Sequence, residues 1–136
     1  MEKEDLPRNR DVTLRVVPMP ADTNAAGNIF GGWLMSQVDI AGSIVALRRA
    51  QGPVTTVAVT AFRFHKPVYV GDVVSLYAEV TRVGTTSITV DVMVYAERGL
   101  RQSNAECTVE KVAEATLAYV AIDAGYRKRP VPPEAR

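Results

Sequence analysis

The sequence holds one cysteine, Cys107, and one histidine, His65, in 136 residues. A lone thiol excludes an internal disulfide and any cysteine-built zinc site. A lone imidazole excludes His-pair metal sites and H-E-x-x-H chemistry, which needs two on one helix face. Long apolar runs are missing too. The longest, Ile40 to Leu47, falls well short of the roughly 20 residues that cross a bilayer. The opening Met1-Glu-Lys-Glu-Asp-Leu-Pro7 has no apolar run behind its charges, so no signal peptide is expected. Nor is there an excess of charge: sixteen basic and fifteen acidic side chains give a net +1. That balance argues against a nucleic-acid partner, which calls for basic charge concentrated on one face. Neither G-x-x-x-x-G-K-[ST] nor G-x-S-x-G occurs, and the glycines at 27–32 lack the lysine that would reach a phosphate. What remains is the expectation of a small cytoplasmic globule without metal or stable membrane insertion.

The length suits one domain, and 47% apolar with 23% charged residues is globular composition rather than disorder. Charged, turn-rich ends suggest an N-terminal tail over 1–12 and a C-terminal tail over 125–136, around a single domain at 13–124. Arg127-Lys128-Arg129 reads as solvated charge, with phosphate contact as the alternative. Between the tails the periodicity changes twice. Leu14-Arg-Val-Val is a short strand candidate that ends at Pro18 and Pro20. The loop-like DTNAAGNIFGG of 22–32 leads into a helical pattern from Trp33 to about Arg49, stopped by Gln51-Gly52-Pro53. This helix is apolar nearly all round and should be wrapped by other structure.

Strand alternation follows. Val73 to Arg82 sets Val74, Leu76, Ala78 and Val80 against Ser75, Tyr77, Glu79 and Thr81. Ser87 to Glu97 sets Ile88, Val90, Val92 and Val94 inward and Thr89, Asp91, Met93 and Tyr95 outward. Val54–Phe64 and Thr108–Ile122 are longer strands of mixed face. Turns are expected at Gly71-Asp72, at Gly84-Thr85-Thr86 and over Arg98 to Asn104. The predicted class is α+β, with four long antiparallel strands curled around one helix. One helix covers only one face and leaves sheet edges open, so edge-to-edge dimerisation into a continuous sheet is expected.

Asp39 stands between Val38 and Ile40 in the least polar part of the chain. Ser43, four residues on, shares its helix face, and Ser36, three residues back, is within reach of the same carboxylate. Asp39 is either a structural carboxylate facing solvent or a subunit seam, or a cleft residue that handles a proton or attacks a carbonyl. Gly31-Gly32 opens the helix. It is either a tight turn or a site where unpaired N–H groups meet a negative oxygen, as acyl transfer requires. His65, beside Pro67 at a strand end, reads as a surface or wedge residue.

The segment Met19-Pro-Ala-Asp-Thr-Asn24-Ala-Ala-Gly27-Asn-Ile-Phe-Gly31-Gly32-Trp-Leu-Met-Ser-Gln-Val-Asp39 closely resembles the signature of hotdog-fold acyl-CoA thioesterases, nearest their YciA-like branch. Phe64-His-Lys-Pro-Val-Tyr-Val-Gly71-Asp72-Val, Val83-Gly-Thr-Thr-Ser87 and Glu114-Ala-Thr-Leu-Ala-Tyr-Val-Ala-Ile-Asp123 support it, so the likeness spans about 13 to 123. The resemblance implies the hotdog fold, a sheet wrapped round a central helix, and hydrolysis of acyl-CoA to acid and CoA. CoA is then part of substrate and product, and there is no separate cofactor. It implies Asp39 as general base or nucleophile, Asn24 positioning the thioester or water, the Gly31 or Gly32 N–H polarising the carbonyl, and Ser43 steadying the water. Each site would span two subunits, Asn24 and the glycines from one meeting Asp39 and Ser43 of the other, in a homodimer or a trimer of dimers. Lys66, Arg82, Thr85, Thr86 and Ser87 are the candidate coenzyme contacts, the alternative being a plain hairpin and solvated charge. Met35, Phe62, Phe64 and Trp33 either shape an acyl tunnel or pack the core. A non-catalytic acyl-CoA sensor is the alternative function; a hotdog dehydratase would want its histidine elsewhere than at position 65.

Overall fold

The structure is a computed structural model that describes residues 4–100 and 106–134. Its elements run β1 (Leu14–Val16), α1 (Gly31–Ala50), β2 (Val54–Phe64), β3 (Val73–Val83), β4 (Ser87–Arg98) and β5 (Thr108–Ala121), with one 3-10 turn at Pro20–Asp22. The strands form one antiparallel sheet in the order β1-β3-β4-β5-β2. The turn expected over Arg98 to Asn104 lies largely outside the described residues.

The helix starts at Gly31, earlier than the apolar pattern predicts. Trp33 and Leu34 N–H both donate to the Phe30 carbonyl (3.1 and 3.3 Å). First-turn N–H groups need no intrahelical partner, so the poor helix propensity of glycine is tolerated there. The helix stops where the signals predict. Gln51 adopts a left-handed conformation (φ 53°), Gly52 N–H donates to Leu47 O, and Pro53 bars continuation. Arg48 and Arg49 fall in the last turn, where the helix dipole favours positive charge.

Leu34, Val38, Ala41, Ala46 and Ala50 are buried under the sheet, and the inward residues Ile88, Val90, Val92 and Val94 of β4 are at most 1% exposed. The other flank of the helix is bare in this single chain: Met35, Ile40 and Leu47 are each more than 40% exposed. Five strands wrap one side of the cylinder and no more.

Two sequence expectations sharpen here. Ser75 and Tyr77, set opposite the inward residues of β3, are also buried, with side chains of Arg15 on the edge strand β1 and of Arg10 before it lying against them. Arg15 Nε donates to Ser75 Oγ (2.7 Å), and the Arg10 guanidinium lies over the Tyr77 ring. The mixed faces of β2 and β5 arise from β-bulges. Register slips between Thr56 and Ala58, between Val59 and Ala61, and opposite Val94 each insert a residue and flip the alternation. The bulged Val112 turns its carbonyl toward the chain leaving β2, where His65 and Lys66 N–H both donate to it (2.8 and 3.2 Å).

Arg129 is not solvated, unlike its neighbours Arg127 and Lys128. Its guanidinium donates to Ala50 O, Ile122 O and Pro53 O (2.9, 2.8 and 3.3 Å). It thereby caps the helix C-terminus and fastens the final segment, where Val131 packs on the core. Arg129→Ala should lower unfolding stability by about 1–2 kcal/mol, read as a reduced urea midpoint at unchanged m-value. An unaltered midpoint would show that water replaces the guanidinium without loss.

Candidate active site

The proposed site residues fall into three groups. The first surrounds Asp39, half-buried in the middle of α1. Its Oδ1 accepts from Thr56 Oγ1 (2.7 Å) and from Tyr119 Oη (3.0 Å), and the tyrosine hydroxyl is also 2.9 Å from the Asp39 carbonyl. Thr56 and Tyr119 are cross-strand partners on β2 and β5, which is why both reach the same carboxylate. Ser36 and Ser43 do not hold it. Ser43 Oγ donates back to Ile40 O (2.7 Å), the bond a helical serine makes with the preceding turn.

Neither Thr56 nor Tyr119 was singled out from the sequence as a site residue. The one available signal was Gly42, a glycine inside a helix, which costs about 1 kcal/mol against alanine and usually marks close packing. A Cβ at Gly42 would lie 2.3 Å from Tyr119 Oη. The missing side chain is the socket for the hydroxyl.

The second group lines a cleft of about 330 Å³ at the start of the helix: Asn24, Gly31, Phe64, His65, Lys66 and neighbours. Asn24 shapes its own loop, its Oδ1 accepting from Ala26 N–H and Asn28 N–H (2.9 and 3.1 Å). Gly27 (φ 87°) makes the turn that closes this loop. A Cβ at Gly31 would stand 3.3 Å from the tip of the Phe64 ring, a tight contact, whereas Gly32 faces open space. His65, expected from the sequence as a surface or wedge residue, is exposed and borders the cleft, bonded to Glu114 (3.2 Å). Lys66 reaches Glu110 (3.3 Å). Arg98 braces the cleft wall from beneath, pairing with Asp72 (3.0 Å) and Glu110 and donating to Pro67 O (2.8 Å). Its hydrogen bond holds the Glu110 carboxyl below the usual range, and Lys111 does the same for Glu114.

The third group is the β3–β4 hairpin. Arg82, Thr85 and Ser87 are exposed there, and Arg82 shares a shallow depression with Arg49 and Glu134. Ser87 pairs with Val120, while Phe64 pairs with Ala113, so the hairpin and the Asn24 cleft sit about 23 Å apart along β5. Asp39 itself lies about 12 Å along the helix from Gly31. One chain therefore does not unite Asn24 and Gly31 with Asp39. Of the four apolar candidates, Trp33 and Phe62 pack on the core, while Met35 and Phe64 are exposed.

Among the described residues no cluster of His, Cys, Asp and Glu could hold a metal ion, and no helix is long and apolar enough to cross a membrane. The Tyr119 phenol is pushed well above its ordinary range, by burial first and then by the Asp39 carboxylate. The folded chain keeps this proton at a pH where an unfolded tyrosine, near 10.0, releases it. The stabilisation is thus complete below pH 10 and declines above it. Urea midpoints should fall as pH rises past about 10, and Tyr119→Phe should flatten that fall.

The Thioesterase superfamily profile matches residues 26–102. The acyl-CoA thioester hydrolase YciA of Salmonella typhimurium is 46% identical over 122 residues, covering 90% of each chain. Cj0915, a hexameric hotdog fold thioesterase of Campylobacter jejuni, superposes with a TM-score of 0.86 at 40% identity, over 92% of this chain and 93% of that one. HI0827, a hexameric broad specificity acyl-coenzyme A thioesterase solved as an aspartate-to-alanine mutant, superposes with a TM-score of 0.84 at 41% identity, over 93% and 89%. With a helix clasped by a single antiparallel sheet and this degree of likeness across nearly its whole length, the chain belongs to the thioesterase superfamily and has the hotdog fold.

Proposed function

We propose that this protein hydrolyses acyl-CoA to a free carboxylic acid and CoA, with Asp39 as general base or nucleophile. The observation that carries the reading is a carboxylate anchored through one oxygen by Thr56 and Tyr119, midway along an otherwise apolar helix. The activities named for the relatives supply the substrate class. As a base, Asp39 takes a proton from water while its oxygen attacks the thioester carbon. The N–H of Gly31 or Gly32 stabilises the oxyanion, the C–S bond breaks, and the departing thiolate recovers the proton. As a nucleophile, Asp39 displaces the thiolate to form a mixed anhydride that water then opens.

The distance between the first two groups calls for a second chain. β2 is an edge strand, with Val57 and Val59 exposed along it. Antiparallel pairing of β2 with its own copy about a two-fold axis near Val59 would bring Thr56 and Asp39 of one subunit beside Phe64, Gly31 and Asn24 of the other. The same pairing would cover the bare flank of α1. Asn24 Nδ2 then orients the thioester or water, and Ser43 lines the water's approach. Lys66, Arg82, Thr85, Thr86 and Ser87 hold the coenzyme, their hydroxyl and cationic groups donating to phosphate oxygens. The minimal unit is a homodimer, and the hexamers named among the relatives support three such dimers.

Thiol release measured on short, medium and long acyl-CoAs should detect turnover that Asp39→Asn reduces about 100-fold or more, with CoA binding retained. Wild-type kcat in that variant would remove the assigned role; tight acyl-CoA binding without any hydrolysis would make the protein a sensor. Shared sites have a second signature. Asn24→Ala and Asp39→Asn, each inactive alone, should regain about one quarter of wild-type activity when co-expressed, because half the dimers then carry one intact site. No recovery in mixed dimers would confine the site to one chain.

A further inference from the structure

We infer that Tyr119 is a positioning residue for Asp39, seated in the gap left by Gly42, and that the Asp39 oxygen it leaves uncovered, Oδ2, is the one that meets water or thioester. The inference rests on the assignment of Asp39 to the reaction and adds which atom works and what aims it. Among the described residues both side-chain donors to Asp39, Thr56 Oγ1 and Tyr119 Oη, converge on Oδ1. Oδ2 receives neither. A carboxylate held this way cannot swing about its terminal bond without breaking two hydrogen bonds.

Tyr119 also fixes where the carboxylate stands on the helix. Its hydroxyl lies 2.9 Å from the Asp39 carbonyl oxygen and 3.0 Å from Oδ1, so one group grips the main chain and the side chain of the same residue. The ring itself is immobile, being fully buried on β5 with Ile88, its neighbour in register on β4, equally buried. Gly42 completes the device: any side chain there would occupy the position of the hydroxyl. Because it stays protonated far into the alkaline range, the phenol remains a donor at every pH where the enzyme would work. Tyr119 lies beneath the carboxylate, on the sheet side of the helix. Its effect passes through Asp39 alone.

The test is steady-state kinetics of Tyr119→Phe and Gly42→Ala beside Asp39→Asn, using the acyl-CoA that the wild type hydrolyses fastest. Tyr119→Phe keeps the ring and removes one oxygen; Gly42→Ala keeps the oxygen and drives it off the carboxylate. Both should lower kcat about 10- to 100-fold, the cost of a misaimed group, while KM stays within about twofold. Adding Tyr119→Phe to Asp39→Asn should cost nothing further, because the two residues act as one unit. A Tyr119→Phe enzyme with wild-type kcat, beside an inactive Asp39→Asn, would overturn the positioning role and leave the hydrolase reading intact. So would losses of kcat and KM together that track a fall in Tm, since these mark a structural tyrosine. Wild-type turnover in Asp39→Asn would remove both.

Discussion

The hydroxyl of Tyr119, inserted where Gly42 has no side chain, ties the middle of the helix to β5 and sets the rotation of α1 on the sheet. From that register the remaining placements follow. Leu34, Val38, Ala41, Ala46 and Ala50 turn inward, Asp39 comes to the edge of the buried face within reach of Thr56, and Met35, Ile40 and Leu47 are left outside. A helix turned by one residue, about 100°, would break the tyrosine's hydrogen bonds to Asp39 and would also bury the carboxylate or expose the alanines.

Polar groups in this molecule are used where the backbone would otherwise go unpaired or a loop would drift. Arg129 satisfies carbonyls at the helix end and at two adjoining segments, so the last residues of the chain are part of the fold rather than an appendage. Arg98 does the equivalent for the 65–72 connection, meeting Asp72, which is 4% exposed, and a carbonyl at Pro67. Buried ion pairs of this kind add little net stability compared with apolar packing, but removing one partner strands the other. Their value here is geometric. They keep the wall of the Asn24 cleft at a fixed height above the helix start, where the proposed carbonyl-polarising N–H groups lie.

The bare flank of α1 and the exposed edge of β2 describe the same deficiency from two sides. A five-stranded sheet cannot enclose a helix of twenty residues, and a bulged edge strand with apolar side chains is not a resting surface in water. The proposed dimer answers both and joins groups of residues that one chain keeps about 12 Å apart. Catalytic function in such an arrangement depends on association, which gives a physical reason for the helix to stay apolar on the side that its own sheet does not cover.

The amino-acid sequence by itself determined the element order, the inward faces of β3 and β4 that periodicity encodes, the stop at Gln51-Gly52-Pro53 and the helix bearing Asp39, because hydrophobic spacing and turn residues act locally. The hotdog resemblance, carried by 19–39, added the chemistry expected of Asn24, Gly31 and Asp39. Tertiary structure alone decided who holds the carboxylate. Ser36 and Ser43 were near in sequence, yet Thr56 and Tyr119 do the holding, because pairing of β2 with β5 brings two distant donors to one oxygen while a helical serine prefers its own backbone. The same holds for Arg129, whose charge reads as solvated until the fold sets three carbonyls around it. It holds also for the division of the site residues into separate groups, which depends on strand register and helix length and on no motif.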